Sequence, residues 1–281
     1  MTYIQWSSRF ELGVPFIDED HKTLVSLLNR MSDASRSDGD LANVGSILSA
    51  LVDYTRYHFE REERAQAIAK YPDIEPHCVL HEELAGQAVE LLNNFRNDPA
   101  SIDMGDVLDF LRDWLLDHIL LHDMAIRPYV KASAEAVSDA AGSVNYAGWL
   151  SDDVKAENMD WAKVSILVLE DSKAFSSVLQ SIMKSIGVGK VVALETTAEG
   201  LDVAKSQKFD VIFSDWRLAE GDGLEFIRSL RSAGNLTPVV MLTGYVDESI
   251  EATREGLEAS EWLQKPVTSA ELTSCLLRHL S

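Results

Sequence analysis

Along the first half of the chain apolar side chains return every three or four residues, the repeat of one helix face, whereas the second half is built of short unbroken apolar runs. Residues 19–33 carry His21, Leu24, Leu28 and Met31 at helical spacing behind Asp18, the expected N-cap. A second helix is predicted from about Asp40 to Lys70, with Leu48, Leu51, Thr55, His58 and Glu62 on one stripe and no interior proline. A third runs from Asp73 to about Phe95, with Pro76 in the tolerated first turn and His77, His81, Leu84, Ala88 and Leu91 facing one way. A fourth, from Asp103 to about Leu121, aligns Val107, Leu111, Trp114 and His118. Four amphipathic helices joined by short loops predict an all-α, up-down four-helix bundle.

The rhythm changes near Val164. Residues 164–169, 191–194, 210–214, 238–242 and 261–264 are short apolar runs, mostly β-branched, alternating with helical stretches that include 173–186, 197–207, 224–232 and 268–280. Strand alternating with helix predicts an α/β doubly wound, five-stranded parallel sheet with helices on both faces. Between the halves, residues 131–163 are rich in Ala, Ser and Asp, which suits a linker; Tyr146, Trp149 and Trp161 are more aromatic than a free tether needs, so part of it is expected to dock as helix. The reading is multidomain: a bundle over 1–130, a linker over 131–163 and an α/β domain over 164–281.

Composition narrows the function classes. With 281 residues, 46% apolar and 25% charged, the chain suits two globular domains and no disordered or membrane class. A net charge of −21 repels phosphates and anionic lipid, so neither nucleic acid nor membrane insertion is expected. Two cysteines, Cys78 and Cys275, make no disulfide framework, and the N-terminus lacks the basic-then-apolar pattern of an export signal, which points to a cytoplasmic protein.

Six of the seven histidines lie between positions 21 and 122. In His58/Glu62 and His77/His81, two residues four apart on a helix offer two ligands to one metal. The pairs point where the Leu and Val stripes point, and burying imidazoles and carboxylates in an apolar bundle is unfavourable unless something binds them. Mixed imidazole and carboxylate donors suit iron, manganese or zinc, and bridging carboxylates favour a dinuclear site. Between His122 and Asp123 the residues disagree: spacing from His118 favours His122, whereas charge balance favours Asp123, which then requires a local helix irregularity. Glu63, beside Glu62, reads as a surface charge.

The set Trp6, Phe10, Gly13-Val14, Ile17-Asp18 and His21, then His58 and Glu62, Tyr71-Pro72, His77 and His81, then Trp114-Leu115, His118-Ile119 and Asp123 resembles a bacterial hemerythrin across residues 1–130. That resemblance implies two iron ions, with His77, His81 and His118 on one, His21 and His58 on the other, and Glu62 and Asp123 bridging. It further implies reversible O2 binding at an open position of the second iron, inside an apolar pocket for which Phe59, Leu115 and Ile119 are the candidate walls.

In a doubly wound sheet, chemistry sits at the carboxyl ends of the strands. Glu170 and Asp171 follow the first run, Asp215 the third, Thr243 ends the fourth and Lys265-Pro266 follows the fifth. Three converging carboxylates call for a hard cation, Mg2+, and a hydroxyl, an ammonium and a metal around one carboxylate suit a phosphoryl group. These residues resemble the receiver domain of two-component response regulators over residues 164–281. The resemblance implies Asp215 as phosphoacceptor, Glu170, Asp171, Asp215 and the backbone carbonyl of Arg217 around Mg2+, Thr243 as the switch hydroxyl, Lys265 as the phosphate partner and Trp262 as the switch aromatic. Gly223 fits the pattern, Ala219 stands where proline is usual, and Trp216 is expected to slow access to a phosphorylated Asp215.

The combination implies an oxygen- or redox-responsive two-component signalling protein rather than an enzyme, since five histidines facing two carboxylates differ from the carboxylate-rich bundles that activate oxygen. Its expected partners are a cognate histidine kinase or phosphotransfer protein and a downstream protein target, as the chain ends about one helix after Lys265. The receiver leaves room for a homodimer. The alternative is an oxygen carrier or buffer whose receiver only controls localisation or partner binding.

Overall fold

Pro15, whose ring presets φ for a first helical turn, opens α1 (Pro15–Ser37) four residues earlier than the spacing of apolar positions suggests. The computed structural model describes residues 3–37, 41–141, 144–151, 153–244 and 259–280. Asp18 therefore is not the N-cap but lies within the first turn, where its carboxylate accepts from the backbone N–H of Leu12 (2.6 Å) and of Gly13 (3.0 Å). Gly13 turns the chain there with φ +81°, a left-handed conformation that side chains resist.

Next come α2 (Leu41–Ile68), α3 (Ile74–Asn97) and α4 (Met104–Asp117), the last capped by Asp103, which accepts from the N–H of Gly105 and Asp106. The expected fourth helix does not simply end at Leu121. It passes through a π-helical turn at His118–Asp123 and continues as α5 (Met124–Ala132), followed by α6 (Ala134–Ala141). Val137 of α6 joins Leu12, Val14, Ile17, Ala65, Ile126 and Val130 in one buried apolar cluster. Burial at these positions is what holds the helices, since each presents one apolar stripe.

The chain divides into two compact units, mainly residues up to Asn145 and from Tyr146 onward. In the second, α7 (Tyr146–Leu150) and α8 (Val154–Asn158) precede β1 (Ser165–Leu169). The segment expected as a linker is thus largely helical and shared out: α6 packs with the bundle, and Tyr146 and Trp161 are buried in the second unit. Trp161 donates from Nε1 to Ala156 O (2.9 Å), and its own carbonyl accepts from Gly189 N (2.9 Å).

The remaining elements are α9 (Lys173–Ile186), β2 (Lys190–Leu194), α10 (Thr197–Ser206), β3 (Val211–Asp215), α11 (Gly223–Ser232), β4 (Val239–Thr243), β5 (Glu261–Gln264) and α12 (Ser269–His279). Among the described residues the strands of the sheet pair in parallel in the order β2-β1-β3-β4-β5. Burial of β4 throughout, and of β1 and β3 except at Ser165 and Asp215, explains their unbroken apolar runs, which pack on Phe226, Ile227 and Leu230 of α11. The register sets Leu169 beside Ser214, Asp215 beside Leu242 and Thr243 beside Gln264, so the residues that follow these strands emerge at one edge.

Candidate functional site

Helical spacing in α1, α2 and α3 aims their histidines into the bundle, and the π turn completes the set. His21, His58, His77, His81, His118, Glu62 and Asp123 are all at most 5% exposed. They form two groups, each with its ligand atoms within 4.8 Å of one another: Glu62, His77, His81, His118 and Asp123 in one, and His21, His58, Glu62 and Asp123 in the other. In the first, the Nε2 atoms of His77 and His81 lie 3.0 Å apart and those of His81 and His118 3.1 Å apart. Donors about 2.1 Å from a shared ion and at right angles to each other lie about 3.0 Å apart, so this is ligand spacing.

Each carboxylate divides its oxygens between the groups. Glu62 sets Oε1 3.0 Å from His77 Nε2 and Oε2 3.5 Å from His58 Nε2. Asp123 sets Oδ1 3.1 Å from His118 Nε2 and Oδ2 3.2 Å from His21 Nε2. Without an ion, His21 Nε2, His58 Nε2, Glu62 Oε2 and both Asp123 oxygens are buried with no hydrogen-bond partner. Such orphaned groups are costly, and a pair of cations satisfies all of them. Burial works against charge on His21 and His77, yet the Asp123 and Glu62 carboxylates push both up, so the centre attracts positive charge. Burial works against charge on Glu62, yet His77, His81 and His58 hold its carboxyl well below the usual range, and burial pushes His118 down to about 4, leaving its imidazole neutral for a metal. Of the two neighbours, His122, which spacing from His118 favoured, is exposed, and Asp123, which charge balance favoured, is buried.

At the sheet edge, Glu170, Asp171 and Asp215 bring carboxylate oxygens within 4.8 Å of one another, and Lys265 Nζ donates to Glu170 Oε2 (3.0 Å) and Asp215 Oδ2 (2.8 Å). Burial pushes Glu170 up to about 8 against the pull of Lys265, with the charge of Asp215 adding to the rise. Three carboxyl groups around one ammonium are crowded enough to favour the neutral form of Glu170, and their hard oxygen donors suit a hard cation. Arg217 donates its N–H to Asp215 Oδ1 (3.2 Å), Asp171 Oδ2 accepts from Ala219 N (2.7 Å), and Thr243 is buried at the end of β4. The half-buried rings of Trp216 and Trp262 meet at 5.2 Å. Gly223 opens α11 where a Cβ would stand 2.6 Å from Asp215 O, which is why no larger residue fits beneath the acidic strand end.

Residues 12–130 match the hemerythrin HHE cation binding domain and residues 166–277 match the response regulator receiver domain. The bacteriohemerythrin of Methylococcus capsulatus is 32% identical over 133 residues, 47% of this chain and all of that protein. The chain belongs to the hemerythrin family. The bacteriohemerythrin of Pseudomonas aeruginosa is 31% identical over 55% of this chain and 97% of its own length. For the receiver, the KDP operon transcriptional regulatory protein of Escherichia coli is 34% identical over 40% of this chain and 49% of that protein.

The hemerythrin domain implies a di-iron centre and oxygen binding, and the buried His/Glu/Asp cluster fits it by donor type, spacing and unsatisfied atoms. Phe59, Leu115 and Ile119 are all buried, and the Phe59 ring stacks on His81 at 3.8 Å and meets His118 edge-on at 5.2 Å. The receiver domain implies a histidine kinase or phosphotransfer partner, and among the described residues no helix is long and apolar enough to cross a membrane.

Two carboxylates that face ligand imidazoles escape sequence reasoning. Glu63, expected at the surface, is half-buried with Oε1 2.8 Å from His81 Nδ1. Asp20, 2% exposed, faces His58 Nδ1 at 3.5 Å and is held by Arg61 (2.7 and 2.8 Å) and the Tyr54 hydroxyl (2.9 Å). Asp20 immediately precedes a ligand histidine and Glu63 immediately follows a bridging glutamate, and this adjacency was the available signal.

Proposed function

We propose that this chain is an oxygen- or redox-responsive two-component signalling protein, cytoplasmic and not itself an enzyme, that receives a phosphoryl group on Asp215. The observation that carries the reading is the sharing of Glu62 and Asp123 between two buried imidazole groups, a site for two ions rather than one. His77, His81 and His118 would hold one iron, His21 and His58 the other. Bound iron supplies reversible dioxygen binding. Phe59, Leu115 and Ile119 keep water and protons from the centre, and three histidines against two leave the donor deficit on the His21/His58 side.

In the receiver, Glu170, Asp171 and Asp215, with the Arg217 carbonyl, would hold Mg2+. An Asp215 oxygen takes the phosphoryl group as its bond to a kinase histidine breaks, Lys265 pairs with the transferred group, and Thr243 and Trp262 report its arrival. Trp216 shields the product from water. Coupling requires that oxygen favour one state of the chain over another.

Iron content and optical spectra of the full chain, taken after anaerobic reduction and again in air, test the first part: two irons per chain with a reversible colour change are expected, and an irreversible change or no iron sinks it. Phosphotransfer rates of the deoxygenated and oxygenated forms test the second. Different rates are expected, with Asp215→Asn unlabelled; equal rates would leave an oxygen carrier whose receiver serves localisation.

A further inference from the structure

The five ligand imidazoles are backed unequally. His21 Nδ1 faces the Phe10 carbonyl at 3.4 Å, and His118 Nδ1 is buried with no partner. His58 Nδ1 faces Asp20 at 3.5 Å, but that carboxylate is already neutralised by Arg61 and bonded by Tyr54. His81 Nδ1 has a close carboxylate that, among the described residues, no Lys or Arg pairs with: Glu63 Oε1 at 2.8 Å, on a side chain 34% exposed. One residue of helix turns about 100°, so α2 sends Glu62 into the centre and Glu63 round its flank to the back of a ring carried by α3. The stack of Phe59 on His81, 5° from parallel, fixes the plane of that ring.

An acceptor on Nδ1 holds the proton there and leaves Nε2 bare for a metal, and an anionic acceptor also raises the donor strength of Nε2. From this juxtaposition we infer that Glu63 is a positioning residue for the metal centre, setting the tautomer of His81 and making the three-histidine side the electron-rich, tight-binding side. Its counterpart Asp20 orients His58 without adding charge, because Arg61 cancels it. The inference rests on the reading of the bundle as a di-iron site and adds an inequality between the two ions that their ligands alone do not specify.

The test uses the full chain, reconstituted with ferrous iron under anaerobic conditions, with three readouts: iron held against a chelator, reduction potential, and the unfolding midpoint of the metal-free protein. Glu63→Gln keeps a hydrogen-bond acceptor and loses the charge. It should still bind two irons, with about 10–100-fold weaker affinity for one of them and a more positive potential, because the oxidised metal loses more stabilisation than the reduced one. Glu63→Ala should weaken binding further, since the tautomer is no longer held. The metal-free midpoint should not move in either variant. The paired change Asp20→Asn with Arg61→Gln, which leaves net charge unaltered, should shift the potential less than Glu63→Gln.

Wild-type affinity and potential in both Glu63 variants would overturn the inference. So would a metal-free midpoint that falls in step with iron affinity, or a larger potential shift from the paired change. A wild-type chain that takes up no iron would overturn the di-iron reading as well, which separates the two failures.

Discussion

Arg61 shows how much a single side chain carries here. It is 7% exposed, its guanidinium meets both Asp20 oxygens, and it lies over the rings of Phe16 and Tyr57. Removing one member of a buried ion pair leaves the other charged and without compensation, at a cost of about 3–5 kcal/mol, whereas removing both is far milder. Arg61→Gln should therefore lower stability by about that amount in urea unfolding of the metal-free chain. Adding Asp20→Asn should restore more than half of the loss. Equal losses in the single and paired variants would mean that packing on the rings, not the charge, is what Arg61 contributes. Burial above all, and the charge of Asp20 next, push the Tyr54 hydroxyl up, so it stays a proton donor to this carboxylate throughout the physiological range.

At the scale of elements, the π turn at His118–Asp123 decides the second bridge. Five residues along a regular α-helix leave two side chains about 140° apart, so His118 and Asp123 could not face one centre. A turn closed by i→i+5 bonds brings them to the same side, and both are buried there. Moving the carboxylate one position, Asp123→Ala with His122→Asp, sets it at the spacing a regular helix favours but on the exposed side of this turn, so it should keep the far-ultraviolet circular dichroism while bound iron falls to one or fewer per chain. His122→Ala should keep two, as its side chain is exposed. In the sheet, parallel pairing is the corresponding device, because it delivers Glu170, Asp215 and Lys265 to one edge from positions 45 and 50 residues apart in sequence.

Over the whole molecule the two ligand sets share no residue: the imidazole centre draws on residues 21–123 and the acidic one on residues 170–265. A ligand that binds only the folded form adds about 2.7 kcal/mol at a hundredfold excess over its Kd. Chelating iron should therefore lower the melting temperature followed by circular dichroism by several degrees, and Asp215→Asn should leave that shift intact. An unchanged melting temperature on chelation would contradict a metal-stabilised bundle.

Helix faces and strand runs were legible in the sequence because both are local repeats, and the ligand histidines were legible because i,i+4 spacing acts within one helix. The strand-end carboxylates were legible for a similar reason, since a strand's last residue names its own position. Glu63 was not: its partner His81 lies on another helix, and a carboxylate beside a carboxylate reads as solvated surface until packing sets an imidazole 2.8 Å away. Nor was the true place of Asp18, where Pro15 moved the helix start, or the division of residues 131–163, where Val137 and Trp161 are each buried by neighbours far along the chain. Periodicity specifies which way a side chain points from its own element, while the distance to the next element is set by how the cores pack; charge balance already favoured Asp123 over His122, and the folded chain supplied the π turn that lets it face the centre.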